Sequence, residues 1–323
     1  MRSLAVLATA VALSVSIAPA CGSSVPSSCG DYFDALLSVQ SQCGLADWIY
    51  DPSERSDFIA ACEAGASAAG STNVASQLDE CASDMKSRGC LAIVYSPPSC
   101  FVRGSLPDGS ACGANGQCAG GVCVPSQTPN PSSEVKCGQC ASFLPVGSAC
   151  SFSSYPPCDP ATSDCDGTTC VAFIPHGGAC PQSGTYCAPG DECSAEGKCD
   201  TVPTLDQSCN VDCNGPYQCT NGKCVAGAAQ GEACGATQCQ PGLACNPQTM
   251  QCNPLPPAKA GETCGFQGSS VACDTGLICS LATQTCIAPV PLGGTCTVGA
   301  FQCSAFAACI DGACAIPDYS ACK

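Results

Sequence analysis

Thirty-seven of the 323 residues are cysteine. A thiol can cross-link, ligate a soft metal, shuttle electrons through a Cys-x-x-Cys pair, or attack as a nucleophile beside a base. Spacing separates these uses. Thiolate clusters favour Cys-x-Cys and adjacent pairs, and the chain has neither. A structural zinc site needs two Cys-x-x-Cys pairs or added histidines, whereas Cys137-Gly-Gln-Cys140 is the single such pair and His176 the single histidine. The same pair lacks the strand-helix surroundings of a redox motif. His176, in Pro-His-Gly-Gly before Cys180, is expected to be a solvated loop residue without a partner rather than a base. The run Gly65-Ala-Ser-Ala-Ala-Gly70 has Ala69 where a nucleophile elbow needs Gly, so it suits small-residue helix packing. Asp79-Glu80 and Asp191-Glu192 have no neighbouring ligands, and no Asp-x-Asp-x-Asp-Gly loop, phosphate loop, dinucleotide fingerprint or basic-aromatic stripe occurs. The expectation is no catalysis, no metal and no cofactor; cross-linking is the chemistry left.

Disulfides need an oxidising compartment. Met1-Arg2, the uncharged apolar run Leu4 to Ala18, and the small residues Ala18-Pro-Ala20 predict a signal peptide over residues 1–20. Cys21 then follows. Small residues, Cys21 and Gly22-Ser-Ser24 resemble the lipobox of bacterial lipoproteins, which implies lipidation at Cys21 and anchoring on an outer membrane or cell surface. Ordinary cleavage at the same bond gives a freely secreted protein instead. Setting Cys21 aside leaves an even number of cysteines, all able to pair. The net charge of −16 becomes one unit more negative once Arg2 is removed, and it disfavours nucleic acid and anionic headgroups as partners.

Charged residues make up 11% of the chain and aromatics 5%, against about 25% charged in an ordinary globular domain. Large aliphatics are also scarce, so staples must stand in for core. The expected fold class is disulfide-rich with little regular structure: a small α-helical six-Cys domain followed by tandem short β-hairpin/loop Cys-rich repeats. After a flexible spacer at 21–28, residues 29–100 carry Cys29, Cys43, Cys62, Cys81, Cys90 and Cys100. Tyr32, Phe33, Leu36, Leu37 and Cys43 recur at helical spacing. Asp51-Pro-Ser-Glu54 signals a second helix with Asp51 as cap. A third helix starts near 71–73, presents Val74, Leu78, Cys81 and Met85, and stops at Gly89. Bridges between helices are expected, with Cys90 to Cys100 favoured as a local one because Pro97-Pro98 turns the chain.

Over residues 101–323 a Gly-x-x-Cys opening recurs about every 31 residues. Seven four-cysteine units follow from it, and their disulfide-forming residues fall into sets. These are Cys112, Cys118 and Cys123 with an irregular fourth; Cys150, Cys158, Cys165 and Cys170; Cys180, Cys187, Cys193 and Cys199; and Cys209, Cys213, Cys219 and Cys224, where Asp206 replaces the opening Gly. The remainder are Cys234, Cys239, Cys245 and Cys252; Cys264, Cys273, Cys279 and Cys286; and Cys296, Cys303, Cys309 and Cys314. Five residues lie between the second and third cysteines in each of the last five units, which marks a constrained turn. Asn221-Gly222 and Asp311-Gly312 predict two-residue type I′ hairpins. In the first unit a Pro/Ser-rich loop precedes Cys137 and Cys140, so it holds five cysteines, and one of these is a candidate to close onto Cys322. Pro-rich joints at 253–257 and 288–291 suggest an elongated string of beads.

Leu106-Pro-Asp-Gly-Ser-Ala-Cys112, the repeated Gly-x-x-Cys and the Cys-x-Pro-Gly-x-x-Cys and Asn-Gly-Lys-Cys pieces resemble bacterial cysteine-rich lipoproteins, whose repeats look like the Dickkopf N-terminal cysteine-rich module. The resemblance covers about residues 106–314 and implies a scaffold, not a binding surface. The functional expectation is a non-enzymatic exported envelope or surface protein with a structural, adhesive or recognition role. Its partner would be another protein or an envelope component, with the membrane reached through the lipid. A soluble secreted binding or inhibitory module is the alternative.

Overall fold

The computed structural model describes residues 23–43, 52–94, 96–125, 137–151, 155–181, 186–194, 196–209, 213–235, 239–240, 243–246, 248–254, 257–264, 273–274, 276–280, 283–297, 302–304, 306–319 and 322. The signal segment, Cys21 and Asp51 lie outside them.

Helix α1 spans Val25–Gln42. It therefore begins inside the stretch expected to be a spacer. Ser24 caps it by accepting from the Ser27 N–H, and Pro26 falls in the first turn, where a missing N–H costs nothing. A 3-10 turn at Pro52–Glu54 leads into α2, Arg55–Ser67. Helix α3, Val74–Arg88, starts at Asn73 and ends on Gly89, both with positive φ. The faces turned inward carry Phe33, Ala35, Val39, Val74, Leu78, Cys81 and Met85, so this region has an apolar core of ordinary kind.

Its three bridges are Cys29–Cys62, Cys43–Cys90 and Cys81–Cys100. The expected Cys90–Cys100 bridge does not form. Gly89 and a single turn at Leu91–Val94 set Cys90 beside the end of α1. The Pro98–Cys100 turn packs on α3 instead, with Ser99 donating to Asp84 at 2.7 Å, and this places Cys100 against the buried Cys81.

Beyond residue 100 the regular structure among the described residues is small antiparallel sheets and a 3-10 turn at Asn115–Gln117. The first unit has three strands, β1 (Ala111–Cys112), β2 (Gly121–Pro125) and β3 (Gly138–Ser142), in the order β1-β3-β2. The next six units each contain a two-stranded hairpin. Third and fourth cysteines face each other across every hairpin: Cys165 with Cys170, Cys193 with Cys199, Cys219 with Cys224, Cys245 with Cys252, Cys279 with Cys286, and Cys309 with Cys314. At the two-residue loops, Asn221 and Gly222 have φ of 53° and 76°, and Asp311 and Gly312 have 51° and 81°, as a type I′ turn requires.

The array is not an extended string. Its last unit returns to the helices: Phe306 stacks edge-on against Phe58 at 4.9 Å and lies 6.3 Å from Phe33, both ring centroid distances. Tyr319 lies over Gly65 of α2, and Cys322 is bonded to Cys137 of the first unit. The first unit is docked on the same helical region. Buried Gln117 donates to the Ala69 carbonyl at 2.8 Å, and the Ser105 N–H donates to the Gly70 carbonyl at 2.7 Å. First and last units thus share one platform, and the chain closes into a loop.

Candidate functional site: a sulfur-centred repeat and its turn

Every repeat uses one bridge pattern, first cysteine to third and second to fourth. It runs from Cys112–Cys123 and Cys118–Cys140 in the first unit, where Cys140 takes the fourth place because Cys137 pairs outside the unit, through Cys209–Cys219 and Cys213–Cys224 in the fourth, to Cys296–Cys309 and Cys303–Cys314 in the last. The remaining units obey it too. Four cysteines permit three pairings, and the backbone selects among them. The third and fourth cysteines leave the same face of the hairpin. The opening segment runs beside the start of the second hairpin strand, which carries the fourth cysteine, through an antiparallel bridge, such as Ala149 with Thr169. The residue three before the opening Gly pairs in parallel with the second cysteine, as Ile174 does with Cys187. Two strands therefore lie across the hairpin face, each presenting one sulfur to it.

That face is the core of the unit. Cys180, Cys187, Cys193 and Cys199 form a buried cluster joined by a single aliphatic residue, Ile174. Leu106, Ala228, Ala258 and Val290 occupy the equivalent place elsewhere. In the six later units the fourth cysteine is the most enclosed: Cys199, Cys224, Cys252 and Cys286 are all 0% exposed. This aliphatic plug was legible as a recurrent apolar residue three positions ahead of each opening Gly, a signal that cysteine spacing alone does not supply.

The opening Gly has a backbone role. Gly109, Gly147, Gly177, Gly231, Gly261 and Gly293 have φ between 75° and 86°, and each sits third in a turn closed by a bond from the next residue, such as Ser148 N–H to the Pro145 carbonyl at 3.1 Å. Positive φ at that position defines a type II turn. A Cβ on any of these six glycines would meet nothing within 4 Å; backbone conformation, not space, selects Gly. Asp206 takes the same conformation, φ 67°, at the modest cost that Asp tolerates in the left-handed region. In all seven units this residue's N–H bonds the carbonyl of the fourth cysteine, as Gly231 does with Cys252 at 2.8 Å and Asp206 with Cys224 at 2.9 Å.

The first position of the turn shows a compensation that sequence spacing did not reveal. Where it is Pro107, Pro145, Pro175 or Pro291 there is no N–H, and the fourth position is Ser110, Ser148, Gly178 or Gly294. Where it is Thr204, Ala229 or Lys259, the fourth position is Gln207, Glu232 or Glu262, whose side-chain oxygen accepts that N–H at 2.7 Å in each case. Each turn either lacks the donor or satisfies it.

Three sulfurs per repeat lie within 4.8 Å of one another in at least five units, for example Cys150, Cys158 and Cys165. A metal takes thiolates, and here the sulfurs are consumed in S–S bonds. His176 is not unpartnered as expected: its Nδ1 is 3.2 Å from the Asp191 carboxylate. The ring is 65% exposed, and the pair has no nucleophile beside it among the described residues. Asp79 accepts from the Ser23 hydroxyl. Asp166 accepts from the Thr169 N–H, the Thr168 hydroxyl and the Thr168 N–H, which hold its carboxyl below the usual range and close that hairpin loop. Ser67 is the last residue of α2, and Ala69 lies just past it. Among the described residues no helix is long and apolar enough to cross a membrane.

Fold and pairing define a disulfide-stapled scaffold with a helical N-terminal region and cysteine-rich hairpin repeats. The chain is similar to cell-cell adhesion glycoprotein 64 of Heterostelium pallidum, at 29% identity over 161 residues, 40% of this chain and 49% of that protein. The chain thus spans about half the length of that relative. No protein-family description matches the chain, and no solved structure matches it.

Proposed function

We propose that the protein is an exported, non-enzymatic surface protein whose repeats act as stiff adhesive or recognition units toward another protein or an envelope component. The observation that carries this reading is the pairing of 36 cysteines into 18 disulfides, a scaffold that persists only in an oxidising compartment. Similarity to an adhesion glycoprotein supports the adhesive role. The type II turn and the two bridges recur in every unit while the length and residues of the hairpin tips vary, which suits display of different side chains from a constant frame.

In this reading Cys21 is lipidated and tethers the array to an outer membrane or cell surface. Release by ordinary cleavage gives the soluble binding module instead. The likeness to the Dickkopf N-terminal module concerns the scaffold alone. The mass of the mature N-terminus separates tethered from released forms, since a diacylated Cys21 adds several hundred daltons. Beads coated with the oxidised protein are expected to bind intact cells or one another, and to stop binding once fully reduced. Beads that bind neither surface would remove the adhesive role.

A further inference from the structure

We infer that the Cys137–Cys322 bridge and the docking of Phe306 form one reducible clasp that switches the repeat array between a closed loop and an open string. Seventeen of the bridges are local, with sequence separations from 10 to 47 residues; Cys137–Cys322 spans 185. It is the one bridge that ties the last unit to the first. The last unit and the tail that follows it touch both the helical platform and the first unit. Phe306 enters the ring cluster of Phe33, Phe58 and Tyr32, in which Phe33 and Phe58 lie 4.9 Å apart and Tyr32 and Phe58 lie 5.8 Å apart. Tyr319 covers Gly65, and its hydroxyl is pushed above the ordinary tyrosine range by burial. Gly113 meets the Tyr319 backbone and the Cys322 sulfur so closely that an added Cβ would sit 3.2–3.3 Å from them.

The two halves of the clasp are coupled. Within a repeat, reduced thiols are held together by the second bridge and by the turn bonds, so they re-pair at once. Reduced Cys137 and Cys322 stay close only while the docked rings hold the last unit in place. Without that contact their effective concentration falls with the length of chain between them. By reciprocity, the bridge must favour ring docking by the same factor. Opening consumes a dithiol reductant. One reductant thiolate attacks one sulfur of the bridge and releases the other cysteine. The second reductant thiol then closes on the first, expelling the remaining cysteine. Two electrons and two protons pass from the reductant to Cys137 and Cys322, which become thiols, and the reductant leaves as a cyclic disulfide. Every repeat keeps both of its own bridges, so opening unfolds none of them. It uncovers Phe33 and Phe58 and lengthens the reach of the array.

The test titrates the full oxidised chain with a dithiol at equilibrium. Alkylated cysteines are mapped by mass, and the maximum dimension is measured by X-ray scattering. Cys137 and Cys322 are expected to alkylate before any repeat cysteine, with the maximum dimension rising in the same step. Phe306→Ala, which removes the ring contacts to Phe58 and Phe33 but no cysteine, is expected to shift reduction of that pair about tenfold toward lower reductant and to leave the repeat bridges unmoved. Repeat bridges that reduce first, a dimension unchanged by opening, or an unshifted pair in Phe306→Ala would each overturn the clasp. The Cys137→Ser/Cys322→Ser variant carrying Phe306→Ala should be extended without reductant; a compact form would equally refute it.

Discussion

The helical region and the repeat array both rely on disulfides, but for different reasons. In the helices the bridges reinforce a core that already exists. Phe33, Ala35 and Val39 are fully buried on α1, and Leu78 and Met85 face them from α3. Cys81 joins that core as one more apolar residue. In the repeats the bridges are the core: in the Cys180–Cys199 and Cys264–Cys286 units four cysteines and one or two aliphatics make up the buried cluster. A unit of about 31 residues cannot bury enough apolar surface to offset its chain entropy, so removing its covalent ties leaves too little to hold it. The contrast shows that the same covalent staple can mean reinforcement in one place and substitution in another.

Complete reduction is the largest test of that contrast. Each bridge constrains the unfolded chain by about 2–4 kcal/mol, and a repeat has no comparable apolar term. Hydrogen exchange on the reduced protein is expected to show the Cys224 and Cys252 amides, which bond Gln207 and Glu232, at open-chain rates. Amides of α1 and α3 should keep part of their protection, because a buried Leu or Phe contributes about 1.5–3 kcal/mol without any bridge. Equal loss in both regions would erase the distinction.

A smaller effect probes the turn that orients the sulfurs. Gly231→Val forces a β-branched residue to φ 82°, costing about 1–2 kcal/mol, so exchange at the Cys252 amide should quicken roughly tenfold. Gly231→Asn should cost much less, because Asp206 already occupies the equivalent position at φ 67°. If both substitutions cost the same, backbone conformation is not what selects the glycine.

The smallest effect concerns a tie between helices that is not covalent. Arg55 on α2 grips Asp34 on α1 with two bonds of 2.9 and 3.0 Å. The Arg55 hydrogen bond, above all, holds the Asp34 carboxyl below its ordinary range. A depressed folded pKa means the pair stabilises the fold above the unfolded value of about 3.9. That contribution is lost as pH falls through the folded value. Both side chains are about half exposed, 49% and 45%, so solvent and salt reduce the contribution. The melting-temperature gap between the native protein and Asp34→Asn should be small at pH 6, shrink in high salt, and close as pH falls through the titration of the folded carboxyl. A gap that persists in acid would exclude the carboxylate as its source.

Local features were open to inspection in the residue order. The I′ dipeptides Asn221-Gly222 and Asp311-Gly312, the stop at Gly89 and the Val74-Leu78-Cys81-Met85 face all depend on neighbours within a few positions, where backbone sterics and side-chain periodicity decide. Start signals were less secure: Ser24 caps α1 earlier than the spacer composition suggested, because one serine hydroxyl on the Ser27 N–H outweighs a Gly/Ser-rich context.

What residue order alone determined is that cysteines had to replace a missing interior, and where the repeating unit begins. Which sulfur meets which was left to three dimensions. Cys90 turned away from Cys100 because Gly89 and the Pro98 turn send the two in opposite directions. Cys137 found Cys322 across 185 residues because Phe306 and Tyr319 bring the far end home. The physical reason is range: a turn records its own sterics in its own few residues, whereas the partner of a half-cystine is set by how separate elements pack, and no short stretch of chain carries that information.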